Sequence, residues 1–528
     1  RPGGRAAPDR LVTPARLLDL LALALGACLL SALVLPWWRP EEIVLAILAV
    51  VSLRLLLRPA AVPSWRPRRV VAVGVVAYAA LFSFVTVTRH FTFLTHALDL
   101  GYYVQLVWNL AGGRGPRVSL PEMHAWGDHL SPIMYLFVPA FWVAPGPVVL
   151  LVSQSALLAL GSAAVFGIAT KRLGDERPAA VFAVLYLVNP SLHGINVRDF
   201  HAAALAIPLL LAAIWAVEAE RPLWACGAAA LALACREDAA IAVAGLGMWV
   251  ALARGRWLWG AGMTAGALGI FFVELRWVIP HYRGEAYSHL WRYDHLGRSL
   301  PEIVSTVLLH PLRTAAGLLT PERLVYLGAL LAPLALLPLA APLEVVGALP
   351  GLAQNLLSRD PILFHHRTQY QAFVVPFLFV AAVAGYARLA ARRPGRLPAA
   401  VLVVAMIASL ALASRTVNQF AVYRFWPRSE QQAAYRVLAT VPEGAALSAQ
   451  DPYVPHLALR SRVFVFPVGI EKSDHVLLNA TTYPWRNLPG GTMVRQGDTV
   501  SISPSPGAPE YRYVVAAEAG PHLLLRRR

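Results

Sequence analysis

Charged residues are scarce in this sequence: Asp, Glu, Lys and Arg together make up 14% of its 528 residues. Soluble globular domains usually contain about 25% charged residues. Hydrophobic residues reach 57%, and apolar stretches of about 20 residues, the length that crosses a bilayer, recur along most of the chain. The composition therefore excludes an ordinary soluble enzyme and predicts an integral membrane protein with many crossings.

Lysine and cysteine are also rare. Only Lys171 and Lys472 are lysines, so the formal charge of +17 comes almost wholly from arginine. In a membrane protein such an excess anchors the cytoplasmic ends of helices, and it does not indicate nucleic-acid binding. The three cysteines, Cys28, Cys226 and Cys235, lie in apolar stretches, so no disulfide framework is predicted.

Several motifs that carry known chemistry are missing. The sequence contains no Walker motif, no GxSxG elbow, no CxxC pair and no regularly spaced arginine helix. These absences disfavour ATP-driven transporters, serine hydrolases and voltage-gated channels. The chain begins with Arg rather than Met, and its first apolar run, 14–36, ends in Pro36-Trp37-Trp38. We interpret that run as a retained membrane anchor rather than a cleaved signal peptide.

Hydropathy predicts about 13 membrane spans. Several of them are only about 13–15 residues long, which is tolerated when a helix is buried in protein or lines a cavity. The predicted spans are 14–36, 41–58, 70–88, 147–170, 179–192, 203–217, 223–235, 239–253, 257–279, 324–341, 343–357, 371–390 and 398–414.

Arginine-rich short loops orient these spans. If the N-terminus is cytoplasmic, every such loop falls on the cytoplasmic side, as the positive-inside bias requires. The loop residues are Arg58, Arg66, Arg68, Arg69, Lys171, Arg172, Arg177, Arg254, Arg256, Arg388, Arg392, Arg393 and Arg396. The same alternation places the polar segments 89–130, 193–202, 280–323 and 358–370, together with everything after residue 415, on the extracytoplasmic side of a cell membrane.

The predicted fold class is an all-α polytopic transmembrane bundle followed by a small α/β domain. We expect an N-terminal transmembrane hairpin at 1–69, a transmembrane domain with external loops at 70–415 and an extracytoplasmic domain at 416–528. In the last part, periodicity predicts a helix at Glu430–Thr440, strands at Ala445–Gln450, Arg462–Phe466 and His475–Asn479, and a hairpin from Tyr511 to Leu525.

Two groups of polar residues lie in the first large external loop. Asp99 stands beside Leu100-Gly101, just outside a predicted span. A carboxylate at that position can act as a general base, although a helix cap is an equally simple role. Further on, Asp128 and His129 follow Glu122 and His124. Such a set can bind a divalent cation, and a structural role for it stays open.

Three further polar segments are predicted on the same side. Arg198-Asp199-Phe200-His201 follows the fifth span, and Arg236-Glu237-Asp238 separates two half-length apolar segments. Adjacent charges near membrane depth are costly unless they are paired or functional. The third segment holds His365, His366, Arg367 and Tyr370 at the mouth of the twelfth span. Arginine and histidine there suit a phosphate group or, equally, lipid headgroups.

The motifs as a set resemble a known family. They are Ala97-Leu98-Asp99-Leu100-Gly101-Tyr102 with Gln105 and Trp108-Asn109, then Gly127-Asp128-His129-Leu130-Ser131-Pro132, then Arg236-Glu237-Asp238. This set resembles a bacterial family of predicted multi-spanning membrane proteins of uncharacterised function. That family is in turn similar to a distant branch of the GT-C glycosyltransferases. The resemblance covers roughly residues 70 to 480.

The resemblance implies a catalytic base, a donor and a metal. In GT-C enzymes an acid of the first external loop is the base or a metal ligand, so the matching residue is Asp99. The implied donor is a sugar on a polyprenyl phosphate, and transfer inverts the anomeric centre. A divalent cation such as Mg²⁺ or Mn²⁺ is implied, with Asp99, Asp128 and His129 as its candidate ligands. GT-C members often have two adjacent acids at this position. Here Leu98 and Leu100 flank a single acid, Asp99, so Asp128 or Asp199 could share its role.

The leading hypothesis is a membrane glycosyltransferase that moves a sugar from a polyprenyl-phosphate donor to an extracytoplasmic glycan, lipid or protein. Asp99 is its candidate catalytic residue. The candidate substrate-binding residues are Gln105, Asp128, His129, Arg198, Asp199, His201, Arg236, Glu237, Asp238, His365, His366, Arg367 and Tyr370. One alternative is a transporter or flippase of a lipid-linked or polar solute, which requires polar residues in both halves of the membrane. The other is a non-catalytic assembly or sensor protein.

Overall fold

The computed structural model describes residues 13–57, 65–482 and 490–528. Arg58 and the side chain of Arg313 lie outside that description. Within it, seven helices are long and apolar enough to cross a membrane: Pro14–Val34, Pro67–Phe91, Pro147–Leu173, Glu176–Val197, Trp257–Arg283, Val375–Arg392 and Arg396–Phe420. Shorter apolar helices of 10–17 residues fill the spaces between them. The prediction of a helical membrane-spanning bundle is confirmed.

Proline begins many helices of the first half, because its fixed φ suits the first turn and its missing N–H is not needed there. Gly174 and Gly255 end two helices with φ of 66° and 68°, the left-handed conformation that favours glycine. The helices are α1 Pro14–Val34, α2 Pro40–Leu57, α3 Pro67–Phe91, α4 Tyr102–Ala111, α5 Val138–Val143, α6 Pro147–Leu173, α7 Glu176–Leu187, α8 Pro190–Val197, α9 Ala206–Glu218, α10 Pro222–Leu233, α11 Ala239–Arg254 and α12 Trp257–Val273.

The second half is more broken than its hydropathy suggests. The predicted spans 324–341 and 343–357 are divided into short helices, because prolines such as Pro333 and Pro342 remove the hydrogen bonds of a continuous helix. The helices are α13 Ile279–Arg283, α14 Leu300–Leu309, α15 Pro311–Leu318, α16 Pro321–Leu331, α17 Pro342–Val345, α18 Leu349–Leu357, α19 Val375–Arg392, α20 Arg396–Val417, α21 Ser429–Leu438 and α22 Val454–Leu457.

The C-terminal part forms a mixed sheet with the order β4-β3-β5-β9-β8-β7-β6. β3 runs parallel to β4 and β5, and the remaining pairs are antiparallel. A separate hairpin, β1 with β2, lies in the first large loop and was not predicted. The strands are β1 Arg117–Ser119, β2 Glu122–His124, β3 Leu447–Ala449, β4 Val463–Val465, β5 His475–Asn479, β6 Thr492–Gln496, β7 Thr499–Ser503, β8 Tyr511–Ala519 and β9 His522–Arg527. A small C-terminal α/β domain is thereby confirmed, although β6 and β7 were missed.

The C-terminal domain is packed onto one end of the helical bundle. Ala97 and Leu120 of the first loop belong to the same apolar core as Val454 and Leu477 of the domain. Ser119 Oγ also donates a hydrogen bond of 2.6 Å to the carbonyl of Val463. We call this end of the bundle the domain side, because the first loop and the domain meet there.

Paired charges lie at the other end of α6. The Glu344 carboxylate accepts hydrogen bonds from Arg254 at 2.9 Å and from the indole N–H of Trp249 at 2.7 Å. Arg172 contacts Glu344 at 3.2 Å and Glu218 at 2.6 Å. All four charged side chains are mostly buried. This ion cluster ties α6, α9, α11 and α17 together where the apolar bundle ends.

We expect Glu344→Gln to destabilise the protein. Removing one partner of a buried ion pair costs about 3–5 kcal/mol, since the remaining charges stay buried without compensation. The measurement is the melting temperature of the detergent-solubilised protein, which should fall clearly in the variant. Glu176→Gln is the matched control, because Glu176 pairs with an Arg68 side chain that is 80% exposed and such pairs contribute about 0–1 kcal/mol. Equal melting temperatures for the two variants would contradict the role of the ion cluster.

Candidate functional site

Acids and histidines from three parts of the chain meet on the domain side. His201 Nε2 lies 3.1 Å from Asp99 Oδ1, and His96 Nδ1 lies 2.7 Å from Asp199 Oδ2. The Asp451 carboxylate of the C-terminal domain accepts a hydrogen bond of 2.8 Å from the N–H of residue 97. These five residues, His96, Asp99, Asp199, His201 and Asp451, are called the first cluster below.

Local backbone geometry determines the positions of Asp99 and Asp199 in the first cluster. Asp99 lies in a single turn of π-helix, Ala97–Gly101, which precedes α4. Asp199 has a φ of 77°, a left-handed conformation that Asp and Asn tolerate better than most residues. Gln154 of α6 holds that bend, since its amide donates to the Asp199 carbonyl at 2.8 Å and accepts from the His201 N–H at 2.8 Å. The sharp bend therefore carries Asp199 and His201 to opposite sides of one polar site.

The charges of the first cluster keep Asp99 ionised. Burial raises the pKa of Asp99, but the opposing effect of His201, His96 and Arg198 is larger, so its pKa is lowered. Burial raises the pKa of Asp451, and the neighbouring carboxylates add to that effect. The Asp99 side chain is 36% exposed. An ionised, partly exposed carboxylate can accept a proton from a hydroxyl group.

The first cluster has the donor set of a cation site. One ligand atom each from His96, Asp99 and Asp199 lie within 4.8 Å of one another. Asp199 Oδ1 is buried and has no hydrogen-bond partner, which is costly for a carboxylate oxygen unless a cation or water fills the role. The residues present therefore fit a divalent cation with oxygen and nitrogen ligands.

A second cluster lies farther along the first loop. His129 Nδ1 lies 2.8 Å from Glu237 Oε1, and the Tyr287 hydroxyl donates to the same oxygen at 2.9 Å. His289 Nε2 lies 3.4 Å from Asp128 Oδ1. Among the described residues, no hydrogen bond or ion pair joins these side chains to the first cluster. The second cluster consists of Asp128, His129, Glu237, Tyr287 and His289.

A cavity of about 170 Å³ lies beside the second cluster. Its polar lining includes His129, Glu237, His289 and Arg292, and its apolar lining includes Phe271 and other side chains of the bundle. Two ion pairs lie beside the polar lining. Arg236 pairs with Asp238, whose Oδ2 also accepts from Gln354 at 3.0 Å, and Arg292 contacts Asp360 at 3.2 Å and the Tyr370 hydroxyl at 2.9 Å. The arrangement is amphipathic, as a site for a lipid with a polar head requires.

The structure distributes the predicted site residues over several places. Asp99, Asp199 and His201 meet in the first cluster, Asp128, His129 and Glu237 meet in the second, and Arg236, Asp238 and Tyr370 lie beside the second. Arg198 is exposed and acts electrostatically on both Asp99 and His365. His365 and His366 stack at 5.3 Å, and Arg367 donates to Thr416 at 3.0 Å.

Gln105 is enclosed by the protein and forms hydrogen bonds within it. It is fully buried, and its amide N–H₂ donates to Ser119 Oγ and to the Arg460 carbonyl, each at 2.8 Å. Its carbonyl accepts from the Ser119 N–H at 2.7 Å. The amide therefore connects α4, β1 and the C-terminal domain, and substrate binding by Gln105 has no support in these contacts.

Seven members of these sites were not among the predicted site residues: His96, Tyr287, His289, Arg292, Gln354, Asp360 and Asp451. A sequence signal existed for His96, which lies three residues before Asp99. Nothing in the sequence near Asp451 indicates that it meets residue 97, because the two positions are 354 residues apart.

Fold and site together define a helical membrane protein with a small α/β domain and two acid–histidine clusters where the two parts meet. The chain belongs to the family described as Predicted membrane protein (DUF2079), whose profile matches residues 89–494. The resemblance to a family of predicted multi-spanning membrane proteins is thereby confirmed. No match was found among curated proteins.

Solved structures of similar shape exist at low identity. ArnT from Cupriavidus metallidurans bound to undecaprenyl phosphate is 14% identical with a TM-score of 0.49, and the match covers 86% of this chain and 97% of ArnT. The Archaeoglobus fulgidus oligosaccharyltransferase in the apo form is 12% identical with a TM-score of 0.43, over 78% of this chain and 70% of that enzyme.

We expect Asp199→Asn to lower the pKa of His96. The hydrogen bond that the His96 ring donates to the Asp199 carboxylate raises the pKa of His96 above its usual value, despite partial burial, so the imidazole stays protonated to higher pH. The measurement is the pH dependence of diethyl pyrocarbonate labelling at His96, read by peptide mass spectrometry with a chelator present, because only neutral imidazole reacts. Labelling should begin at lower pH in the variant, in which Asn keeps the left-handed backbone.

His310, which makes no contact with the first cluster, serves as the internal reference for reagent activity in the same digest. An unchanged midpoint of the labelling curve at His96 would mean that Asp199 does not raise the pKa of His96.

Proposed function

We propose that this protein is a membrane glycosyltransferase that moves a sugar from a polyprenyl-phosphate donor to a hydroxyl group of an extracytoplasmic acceptor. One observation carries the proposal: Asp99, an ionised and partly exposed carboxylate, is held by His201 in a cation-competent cluster between the helical bundle and the C-terminal domain. A lipid-linked donor presents its reactive carbon at the membrane interface, which is the depth expected for the ends of membrane-spanning helices.

In the proposed reaction Asp99 accepts the proton of the acceptor hydroxyl. The oxygen then forms a bond to the anomeric carbon from the face opposite the phosphate, and the bond between that carbon and the phosphate oxygen breaks. Polyprenyl phosphate leaves with the bonding electrons, so the anomeric centre is inverted in one displacement. His201 orients Asp99, since its Nε2 lies 3.1 Å from the carboxylate.

The proposed phosphate contacts are Arg198 and His365. Arg198 is exposed and forms no ion pair with any residue in the described part of the chain. His365 Nδ1 accepts the N–H of Arg367 at 3.4 Å, which leaves its Nε2 to carry a hydrogen that can be donated. An unpaired guanidinium with a neighbouring N–H donor suits a phosphate monoester or diester. The amphipathic cavity beside the second cluster suits the lipid portion of the donor.

The proposed acceptor region is a second cavity of about 390 Å³, formed mainly by the C-terminal domain. Its lining includes Glu430, Gln450, Asp451, Tyr453 and Asn479. Carboxylates, amides and an aromatic ring suit a hydroxyl-rich ligand such as a glycan. Asp451 connects this cavity with the first cluster, because it also accepts the hydrogen bond from residue 97.

A divalent cation is proposed to bind His96, Asp99 and Asp199. These residues have suitable donor atoms close together, and Asp199 Oδ1 lacks another partner. When bound, such a cation would stabilise negative charge that develops on oxygen during transfer.

We expect Asp99→Asn to abolish sugar transfer while the protein still inserts and folds, because an amide cannot accept the hydroxyl proton. Loss of a general base usually lowers the rate about 100-fold to 10,000-fold. The measurement is turnover of purified protein with a panel of polyprenyl-phosphate sugars and membrane-extract acceptors. Asp498→Asn, an exposed acid far along the sheet, is the matched control and should be as active as wild type. Full activity in Asp99→Asn would remove this residue from the reaction.

We expect Arg198→Ala to weaken donor binding more than it lowers the maximal rate. A lost charge-assisted hydrogen bond corresponds to about 1.5–3 kcal/mol, or about a 10-fold to 100-fold higher KM. The measurement is initial rate against donor concentration. Arg298→Ala is the control, since Arg298 belongs to the external segment and not to the cluster. The same KM in wild type and Arg198→Ala would exclude Arg198 as a phosphate contact.

A further inference from the structure

We infer that Asp128, His129 and His289 of the second cluster form a zinc site that fastens the first loop to the segment after α13. This inference uses none of the residues of the first cluster, and it shares with the proposed transferase only the 170 Å³ cavity that His129 and His289 line. One ligand atom from each of the three residues lies within 4.8 Å of the others. The set of two imidazoles and one carboxylate is typical of zinc, whereas magnesium and calcium prefer oxygen ligands.

The spacing of two ligand atoms already matches a zinc site. Zinc binds nitrogen and oxygen at about 2.0–2.2 Å in tetrahedral geometry, so two of its ligand atoms lie about 3.3–3.5 Å apart. His289 Nε2 and Asp128 Oδ1 are separated by 3.4 Å. That distance is long for a hydrogen bond between charged partners, which is usually about 2.7–2.9 Å. It equals the edge of a zinc tetrahedron.

A buried nitrogen in the cluster is poorly satisfied. His289 Nε2 is inaccessible to solvent, and its polar contact is the 3.4 Å approach to Asp128 Oδ1, which does not have the geometry of a hydrogen bond. Poorly satisfied buried polar atoms are costly, and native structures contain few of them. A metal ion between Asp128 and His289 would satisfy this nitrogen and the carboxylate oxygen at once.

His129 has the orientation of a metal-binding histidine. Its Nδ1 lies 2.8 Å from Glu237 Oε1, and the other Glu237 oxygen accepts the N–H of Leu130 at 3.2 Å. A carboxylate that accepts the N–H of one ring nitrogen leaves the lone pair of the other nitrogen for a metal, an arrangement found around most zinc-binding histidines. Tyr287 donates to the same carboxylate and holds it in place. Glu237 is thus a positioning residue for the site.

The two segments that supply the ligands are already packed against each other. Arg283 donates to the Gly127 carbonyl at 3.2 Å, and the rings of His124 and Tyr282 stack with their centres 3.9 Å apart. The His129 and His289 rings lie parallel with centres 4.8 Å apart. Zinc binding would draw the three ligand atoms, now within 4.8 Å of one another, closer together and would turn the imidazoles out of their parallel arrangement. Both histidines line the 170 Å³ cavity.

The first test is zinc binding by the purified full-length chain. After treatment with a chelator, Zn²⁺ is titrated and the bound metal is counted by mass spectrometry. We expect His289→Ala and Asp128→Asn to lose one equivalent of zinc relative to wild type. His295→Ala and His281→Ala are the matched controls, because these histidines lie on the same segments outside the cluster, and both should keep it. Retention of full stoichiometry in His289→Ala would overturn the inference.

Two further measurements separate this site from the first cluster and from misfolding. Because the first cluster can also hold a cation, the double variant Asp99→Asn/His289→Ala is compared with Asp99→Asn alone. The double variant should hold one zinc equivalent fewer, and equal zinc contents would assign the metal to the first cluster. Glu237→Gln should weaken zinc affinity about 10-fold to 100-fold without removing the ligands. X-ray absorption at the zinc edge of wild type needs no variant. It should show two imidazoles at about 2.0–2.1 Å, and a spectrum without imidazole would refute the site.

Discussion

A charged carboxylate buried in this apolar bundle needs a partner, because an unpaired charge away from water costs several kcal/mol. The structure meets this constraint in three places. Asp199 is paired with His96, Glu237 with His129, and Glu344 with arginines at the opposite end of α6. In each place the partner comes from a distant part of the chain, so each pair also connects helices. The few buried charged residues thus help to determine how the apolar helices pack together.

The two ends of α6 differ in how completely their charged groups are paired. Around Glu344, both carboxylates have arginine partners, and the cluster has a structural character. On the domain side, pairing is less complete. Asp199 Oδ1 is buried without a hydrogen bond, His289 Nε2 has only a 3.4 Å contact with Asp128, and Arg198 is exposed beside Asp99 without a counter-ion among the described residues. Unsatisfied groups of this kind are where ligands bind in proteins that are otherwise well packed.

The C-terminal domain is part of this polar region and not an appendage to it. Asp451 accepts a hydrogen bond from the turn that carries Asp99, and Ser119 and Gln105 connect the first loop to the strand and loop around Val463. A shared apolar core extends from Ala97 into the domain. Movement of the domain would therefore change the position of Asp99, which couples the proposed acceptor cavity to the proposed base.

The sequence by itself determined the membrane-spanning class, most helices and the acids Asp99, Asp128 and Asp199, because hydropathy and local polarity are properties of short segments. It also indicated the domain at the C-terminus, through a change to strand-like alternation. It missed the division of residues 324–357 into short helices, where several prolines outweigh high hydropathy.

Only the tertiary structure decided which polar residues act together. Asp99 meets His201 and residue 97 meets Asp451 across separations of 102 and 354 residues, and the acids and histidines of the separate polar segments form two clusters. Such pairing depends on how helices cross and where loops return, which no local pattern encodes. The sequence therefore determines the chemical character of each residue, whereas the packing of the bundle determines which residues it contacts.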